Sequence, residues 1–315
     1  MRVRWGIDGT GGIARTMVAA IRAEGGGEVV AVASRSFDRA RSFAAELDIP
    51  MAVEGTAALA EAVDAVYVAG VNTEHARSTI TALERGAAVL CEKPIALTEL
   101  EAKQMVDAAR RNGLLLVEAM WMRFLPFWGV LQDMLEEVGP LRYIRAEFGI
   151  PVDGDPGRRW FDPAQGGGAL LDVGIYPVTL ACLVAGEPLS VTATEIAAET
   201  GVDGQFGIAM RHAGDVLSVI GCSFLADGEV SASLAGPGGR LALESPFHHT
   251  ARITRWVRGD AVETRDVPNQ GFVHEVAEFH RCLHAGLTES PVHPLDATLM
   301  VMRTLDRIRS VAVRG

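Results

Sequence analysis

The feature that most constrains this sequence is a short glycine-rich turn set between two periodicities. The apolar run Val3–Ile7 ends at Asp8, Gly9-Thr-Gly11-Gly12-Ile13-Ala14 follows, and helical spacing takes over from about 13 to 24. A strand, a tight turn and a helix in immediate succession open a βαβ unit. In the pattern G-x-G-x-x-A the first glycine makes the turn and the second lets the backbone approach a pyrophosphate. The small last residue lets the helix pack on the strand. Free N–H groups at the helix N-terminus then face the phosphates. Gly9, Gly11, Gly12 and Ile13 are thus candidate dinucleotide-binding residues. Asp8 is out of keeping, because a carboxylate there repels a pyrophosphate. It is expected to turn away and accept backbone hydrogen bonds.

Beyond this turn, apolar runs at Val29–Ala33, Ala65–Ala69, Ala88–Cys91 and Leu114–Ala119 alternate with helix-like segments at 37–47, 75–85 and 98–112. Short continuous apolar runs suit strands buried on both faces. Thr98-x-x-Glu101 is a capping box that fixes the start of the last helix. The fold class predicted for residues 1–120 is α/β, a doubly wound parallel sheet with helices on both faces. After Trp121 the pattern changes. Helices are predicted at 127–138, from Gly168 to Ala185, at 272–285 and at 295–312. Between them, Val191–Ile196, Gln205–Arg211, Val216–Phe224, Glu229–Leu234, Arg240–Leu243 and Ile253–Val257 are short runs separated by glycine-containing turns. That spacing predicts an open, mainly antiparallel sheet in an α+β domain over 121–315. The uncovered face of such a sheet is expected to form a homodimer or a higher homo-oligomer.

Charge narrows the partners. The chain has 29 Lys and Arg against 40 Asp and Glu, a net −11. A surface that acidic repels phosphate backbones and anionic lipid, so no nucleic-acid or membrane partner is expected. The apolar stretch Ala169–Ala185 contains Asp172 and Pro177 and is shorter than the roughly 20 residues of a bilayer span. No apolar signal-type run precedes the first strand. Cys91, Cys182, Cys222 and Cys282 form no C-x-x-C pair, and the nearest two lie 40 positions apart. Free thiols in a reducing cytoplasm are expected, with neither disulfides nor a bound metal. His280 and His284 are four apart, but no adjacent acid completes a zinc motif, so a packing or surface role is expected.

The cofactor type is written after the second strand. An NAD site places an acid there to bind the ribose 2′-hydroxyl. Here the position reads Ala33-Ser34-Arg35-Ser36, with Arg39 one helical turn on. Guanidinium groups and hydroxyls suit a 2′-phosphate, so NADP is favoured over NAD. Further along, Glu92-Lys93-Pro94 follows the fourth apolar run, at the strand end where open α/β sheets bind ligands. Proline restrains Lys93 to an extended geometry, and a lysine there can stabilise developing oxyanion charge.

Trp5-Gly-Ile-x-Gly9-Thr-Gly-Gly-Ile-Ala14, Asn72-x-x-His75, Glu92-Lys93-Pro94, Glu118-Ala-Met-Trp121-Met-Arg123-Phe and Gly166-Gly-Gly-Ala-Leu-Leu-Asp172-x-Gly174-x-Tyr176-Pro177 occur in this order. Together they resemble the Gfo/Idh/MocA oxidoreductase superfamily, and within it the dihydrodiol dehydrogenase and NADP-dependent D-xylose 1-dehydrogenase branch. The resemblance implies an N-terminal Rossmann domain and a C-terminal substrate-binding and dimerisation domain. It implies that Lys93 is the catalytic lysine, preceding a cis Lys93–Pro94 bond. It implies that Tyr176 handles the proton, where many members place a histidine, and that Asp172 orients Lys93 or the substrate. Asn72, His75 and Glu92 join the cofactor set, and Trp121, Arg123 and Phe247 the substrate pocket. Two positions depart from the family pattern: Val71 replaces the usual proline and Asp8 precedes Gly9. Near residue 247 an expected aromatic pair reads Phe247-His248.

The physics of the proposed pair stands apart from the resemblance. Moving a tyrosine pKa from about 10 to about 7 needs roughly 4 kcal/mol of preference for the phenolate. A lysine cation and a positive nicotinamide within about 4–6 Å supply charge of the right sign in a dry cleft. The reaction expected is oxidation of a hydroxyl on a small sugar, polyol or cyclic diol. The alternatives are a non-catalytic NADP-binding sensor or regulatory protein, and a nicotinamide-retaining glycoside hydrolase. Arg35→Asp is expected to shift cofactor preference from NADP toward NAD in binding titrations. An unchanged ratio contradicts the 2′-phosphate assignment.

Overall fold

A computed structural model describes residues 2–152, 158–269 and 271–314. In chain order the first elements are β1 (Val3–Asp8), α1 (Gly12–Glu24), β2 (Gly27–Ser34), α2 (Phe37–Glu46), β3 (Met51–Glu54), α3 (Gly55–Ala60), β4 (Ala65–Val68), α4 (His75–Glu84), β5 (Ala88–Glu92), α5 (Glu99–Asn112) and β6 (Leu116–Ala119). Then come α6 (Phe127–Val138), β7 (Tyr143–Gly149), α7 (Ile175–Ala185), β8 (Ser190–Ala197), β9 (Asp203–Arg211), β10 (Leu217–Ser223), β11 (Val230–Gly236), β12 (Gly239–Leu243), β13 (Arg252–Val257) and β14 (Asp260–Asp266). Helices α8 (Val273–His284) and α9 (Leu295–Val311) and strand β15 (Ala312–Arg314) follow.

The chain divides into two compact units, Met1–Phe124 with Gln270–Leu299, and Leu125–Asn269 with Met300–Gly315. This differs from a single cut between 120 and 121. Helix α8 returns to the first unit because Val276, Phe279 and Cys282 complete a core built by Trp5, Ile7, Met17, Ile21 and Tyr67. The Trp5 and Phe279 rings lie 4.7 Å apart.

In the first unit six parallel strands run in the order β3-β2-β1-β4-β5-β6. Strands β4 and β5 are buried along their whole length, the reason their sequences are apolar up to Glu92 at the end of β5. Pairing of β1 with both β2 and β4 places the reversal of strand order beside Gly9, and ligands of such sheets bind at that switch point. The pair β3–α3 was not predicted, since β3 is an edge strand whose residues are only half-buried or exposed. The predicted capping box forms: Thr98 Oγ1 accepts from Glu101 N at 3.2 Å. Its return bond reaches one residue further back, to Leu97 N at 2.9 Å.

In the second unit nine strands run β14-β13-β12-β11-β7-β10-β9-β8-β15. Only β7–β10 and β8–β15 pair in parallel, so the sheet is mainly antiparallel, as predicted. Burial alternates along β8, β9 and β10, with Val191, Ile208 and Ile220 on the inner face. Strand β7, unpredicted, holds the centre of the sheet by the same alternation, through Ile144, Ala146 and Phe148. Helix α6 packs against β12 and β13, and α7 against β7 and β10. The stretch Pro163–Ala185 is long and apolar enough to cross a membrane, contrary to the shorter run read from the sequence. Its apolar window is 78% buried within the protein, which is the behaviour of a core helix.

His280 shows how α8 is held. Trp5 Nε1 donates to His280 Nε2 at 2.9 Å, and Nδ1 lies 2.7 Å from Glu24 Oε2. The ring therefore carries its single proton on Nδ1 and is neutral. Burial lowers its pKa, and Glu24 opposes this only in part. With the folded pKa below the unfolded value of about 6.5, this contribution to stability is complete above that pH and is lost as pH falls. Urea unfolding between about pH 7.5 and 5.5 is expected to show a steeper loss of stability in the native protein than in His280→Gln. Equal slopes contradict the assignment.

Candidate active site

At the end of β1, Gly9 has φ +132°, and a Cβ there would lie 2.5 Å from the Ala69 carbonyl oxygen. No side chain fits, so this glycine is required by the fold. Gly11 and Gly12 are different. Both are exposed, and a Cβ on either meets nothing within 4 Å. Gly11 is the N-cap of α1 at φ −80° and offers no side-chain cap, and the first turn contains no acid. An open, uncapped helix N-terminus without a neighbouring carboxylate fits a pyrophosphate. Arg15 ties the loop down, donating to the Thr10 and Gly11 carbonyls at 3.3 and 3.4 Å while pairing with Glu46 at 2.7 Å. Ile13 packs against the core behind the turn. Asp8 does turn aside, but it accepts a side-chain rather than a backbone bond: Thr56 Oγ1 donates to its Oδ2 at 2.7 Å. Burial raises the Asp8 pKa, and the Thr56 and Ser78 hydroxyls oppose that rise.

At the end of β2, Ser34 is buried and its Oγ accepts from Ser36 N at 3.4 Å. Ser36 caps α2 by accepting from Arg39 N at 3.5 Å. Both hydroxyls accept in these bonds, so their protons remain donors. Arg35 and Arg39 are exposed, and among the described residues neither pairs with a carboxylate.

The ends of β4, β5 and β6 carry the remaining residues predicted for this unit. Asn72 begins a short turn, and the buried His75 begins α4. The His75 ring sits between two carbonyl oxygens, Nδ1 at 2.8 Å from Pro94 and Nε2 at 3.3 Å from Gly70. The Lys93–Pro94 bond is cis, as the resemblance implied. Glu92 is buried. Its Oε1 accepts from the Tyr67 hydroxyl and its Oε2 from Lys93 N at 3.1 Å. Two residues on, Ile95 N donates to Glu118 Oε1 at 3.2 Å. Thr298 Oγ1 donates to the other Glu118 oxygen at 2.8 Å, with His293 Nε2 3.1 Å away. Lys93 is half-buried on this support. The Trp121 ring stacks on Phe272 at 4.8 Å. Burial lowers the Arg123 pKa.

In the second unit, Asp172 and Tyr176 lie on consecutive turns of different kinds. Asp172 is on a π-turn, Leu170–Gly174, and Tyr176 is on α7. Asp203 holds the start of this turn, accepting from Leu170 N at 2.6 Å, and burial pushes its pKa up to about 6. Asp172 Oδ1 lies 3.5 Å from Arg159 Nη2. Tyr176 is buried in an aromatic cluster, its ring 5.6 Å from Phe148 and 4.8 Å from His248. Phe247 is fully buried and meets Phe148 edge-on at 6.3 Å. The sequence did not single out Tyr67, Phe148 or Arg159, and it showed Glu118 and His248 without assigning either a role. Tyr67 left one usable signal, since a tyrosine inside an all-apolar strand needs a hydroxyl partner.

Comparison with known proteins settles the family. The family model described as oxidoreductase family, NAD-binding Rossmann fold, matches residues 3–120, and the GFO/IDH/MocA C-terminal domain matches residues 131–242. The chain belongs to the Gfo/Idh/MocA oxidoreductase family. Among relatives, the trans-1,2-dihydrobenzene-1,2-diol dehydrogenase of Macaca fascicularis is 35% identical, over 98% of this chain and 96% of its own. The human enzyme of the same name is 34% identical with the same coverage. Among solved structures, a 3-ketoreductase from Actinomadura kijaniata in complex with NADP and TDP-benzene superposes with a TM-score of 0.91. It is 29% identical, covering 100% of this chain and 99% of its own.

This Gfo/Idh/MocA member separates the two uses of glycine in its turn. Gly11→Ala is expected to keep the native melting temperature, since a methyl fits the empty space, yet to weaken NADP binding at least about tenfold by blocking the approach of phosphate. Undiminished affinity by fluorescence titration contradicts a pyrophosphate site here.

Proposed function

We propose that this oxidoreductase is an NADP-dependent dehydrogenase acting on a hydroxyl of a sugar, polyol or cyclic diol, in either direction. One observation carries the reading. Arg35 and Arg39 stand where an NAD site keeps an acid, in a chain 35% identical across its length to diol dehydrogenases. The 3-ketoreductase crystallised with NADP supports the same cofactor. In this reading the first unit binds the cofactor through Gly9, Gly11, Gly12, Ile13, Ser34, Arg35, Arg39, Asn72, His75 and Glu92. Trp121, Arg123 and Phe247 are the residues proposed to contact the substrate.

NADP, when bound, supplies the hydride acceptor. The chain's own residues handle the proton. The Tyr176 phenolate takes it from the substrate hydroxyl and becomes the phenol, and the Lys93 ammonium favours that phenolate. Asp172 orients the substrate or Lys93. Four buried free cysteines fit a reducing compartment, in line with a cytoplasmic enzyme. The solvent face of the nine-stranded sheet, with Tyr143, Leu217 and Val219 exposed on adjacent strands, is the surface for a homodimer. Leu217→Asp with Val219→Asp is expected to give monomers in sedimentation equilibrium, and an unchanged oligomer contradicts that surface.

Lys93→Ala and Tyr176→Phe are each expected to lower kcat by roughly 10²–10⁴ while NADP still binds. If the two act as one unit, the double variant loses little more than the worse single. Near-normal turnover in both single variants removes the mechanism.

A further inference from the structure

Glu275 has no part in the hydride and proton transfers, yet it is the least expected acid in the first unit. It lies on α8 with no exposed surface, and neither of its carboxyl oxygens has a hydrogen-bond partner among the described residues. Apart from each other, the ionisable groups acting on Glu275 and Tyr67 are Glu92 and Cys91. Tyr67 on β4 and Glu92 and Cys91 on β5 are all buried. Tyr67 donates to Glu92 Oε1, and Glu92 Oε2 accepts from Lys93 N.

Two carboxyls and a phenol in one dry space cannot all ionise. Glu92 accepts at both oxygens, which is the pattern of the charged form. Glu275 has no donor to stabilise an anion, and burial with the nearby Glu92 holds its pKa well above the usual range. Tyr67, buried between acids, keeps its proton as well.

We propose that Glu275 is a positioning residue that acts through Glu92: as a neutral acid it leaves Glu92 the single anion of the cluster, free to hold the Lys93 backbone at the end of β5. Ionisation of Glu275 at alkaline pH releases its proton to solvent and sets a second buried negative charge beside Glu92. Repulsion between the two buried anions pushes Glu92 away from the Lys93 N–H, and the lysine loses its anchor. This rests on the reading of Lys93 as a residue of the reacting centre.

The test uses the full-length protein and two readouts. Infrared spectra at neutral pH are expected to show the carbonyl stretch of a buried protonated carboxylic acid, shifted in D2O and absent in Glu275→Gln. A missing band, or one that survives the substitution, overturns the neutral acid. This readout needs no turnover, so it stands even if the dehydrogenase reading fails. For the positioning role, the alkaline limb of kcat/KM is expected to move up by about one pH unit in Glu275→Gln. Glu275→Ala should lower kcat about tenfold, with glutamine restoring most of the loss. An alkaline limb that stays in place in Glu275→Gln overturns the positioning role, and the glutamine variant carries the test if the alanine variant fails to fold.

Discussion

The arrangement of the first unit depends on one close approach. Strands β1 and β4 run side by side until the Ala69 carbonyl occupies the space where a Gly9 side chain would stand. With no Cβ, the chain turns sharply into α1 and leaves the helix N-terminus bare at the point where the strand order reverses. The phosphate binding proposed for the loop rests on that geometry and not on a charged side chain within Gly9–Gly12. Arg15 is spent on the loop's own carbonyls and on Glu46. The awkward Asp8 is accommodated because Thr56, one short helix away, gives its carboxyl a hydroxyl donor.

A second constraint is electrostatic. The segment Glu92–Ile95 is suspended from two buried carboxylates: Glu92 takes the N–H of Lys93, and Glu118 takes the N–H of Ile95. Buried acids are costly unless they are hydrogen-bonded, and each has donors from beyond its own strand. Tyr67 serves Glu92, and Thr298 serves Glu118. The half-buried lysine is therefore held through its backbone at the end of β5, as the role proposed for its charge requires. In the second unit the π-turn at Leu170–Gly174 has a similar part, changing the winding just before α7 and being tied at its start by Asp203.

The sequence disclosed those parts of the fold whose burial is local. Strands β1, β2, β4, β5 and β6 are apolar because both faces are covered, and the Gly9 turn, the Thr98 cap and the Lys93-Pro94 segment carry their signals within a few residues. Strand β7 was legible in principle, because Ile144, Ala146 and Phe148 alternate with Arg145 and Glu147. Strand β14 is an edge strand of mostly exposed residues with little apolar signal. What no local pattern could give is long-range pairing. The return of α8 to the first unit rests on Phe279 meeting Trp5, 274 positions earlier, and the company of Glu92 on Tyr67 and Glu275. The candidate site divides in the same way: its motif residues were legible, while the acids and hydroxyls that hold them in place were not.

The central claim is that this chain moves a hydride between a carbinol carbon and NADP. Its most direct test is a spectrophotometric screen of trans-dihydrodiols, aldoses and inositols, followed by the best substrate carrying deuterium on the carbinol carbon. The account predicts growth of the reduced-nicotinamide absorbance with NADP well above that with NAD, and deuterium recovered on the reduced cofactor. Tight NADP binding without turnover on any substrate, or product release with no net absorbance change, would contradict it.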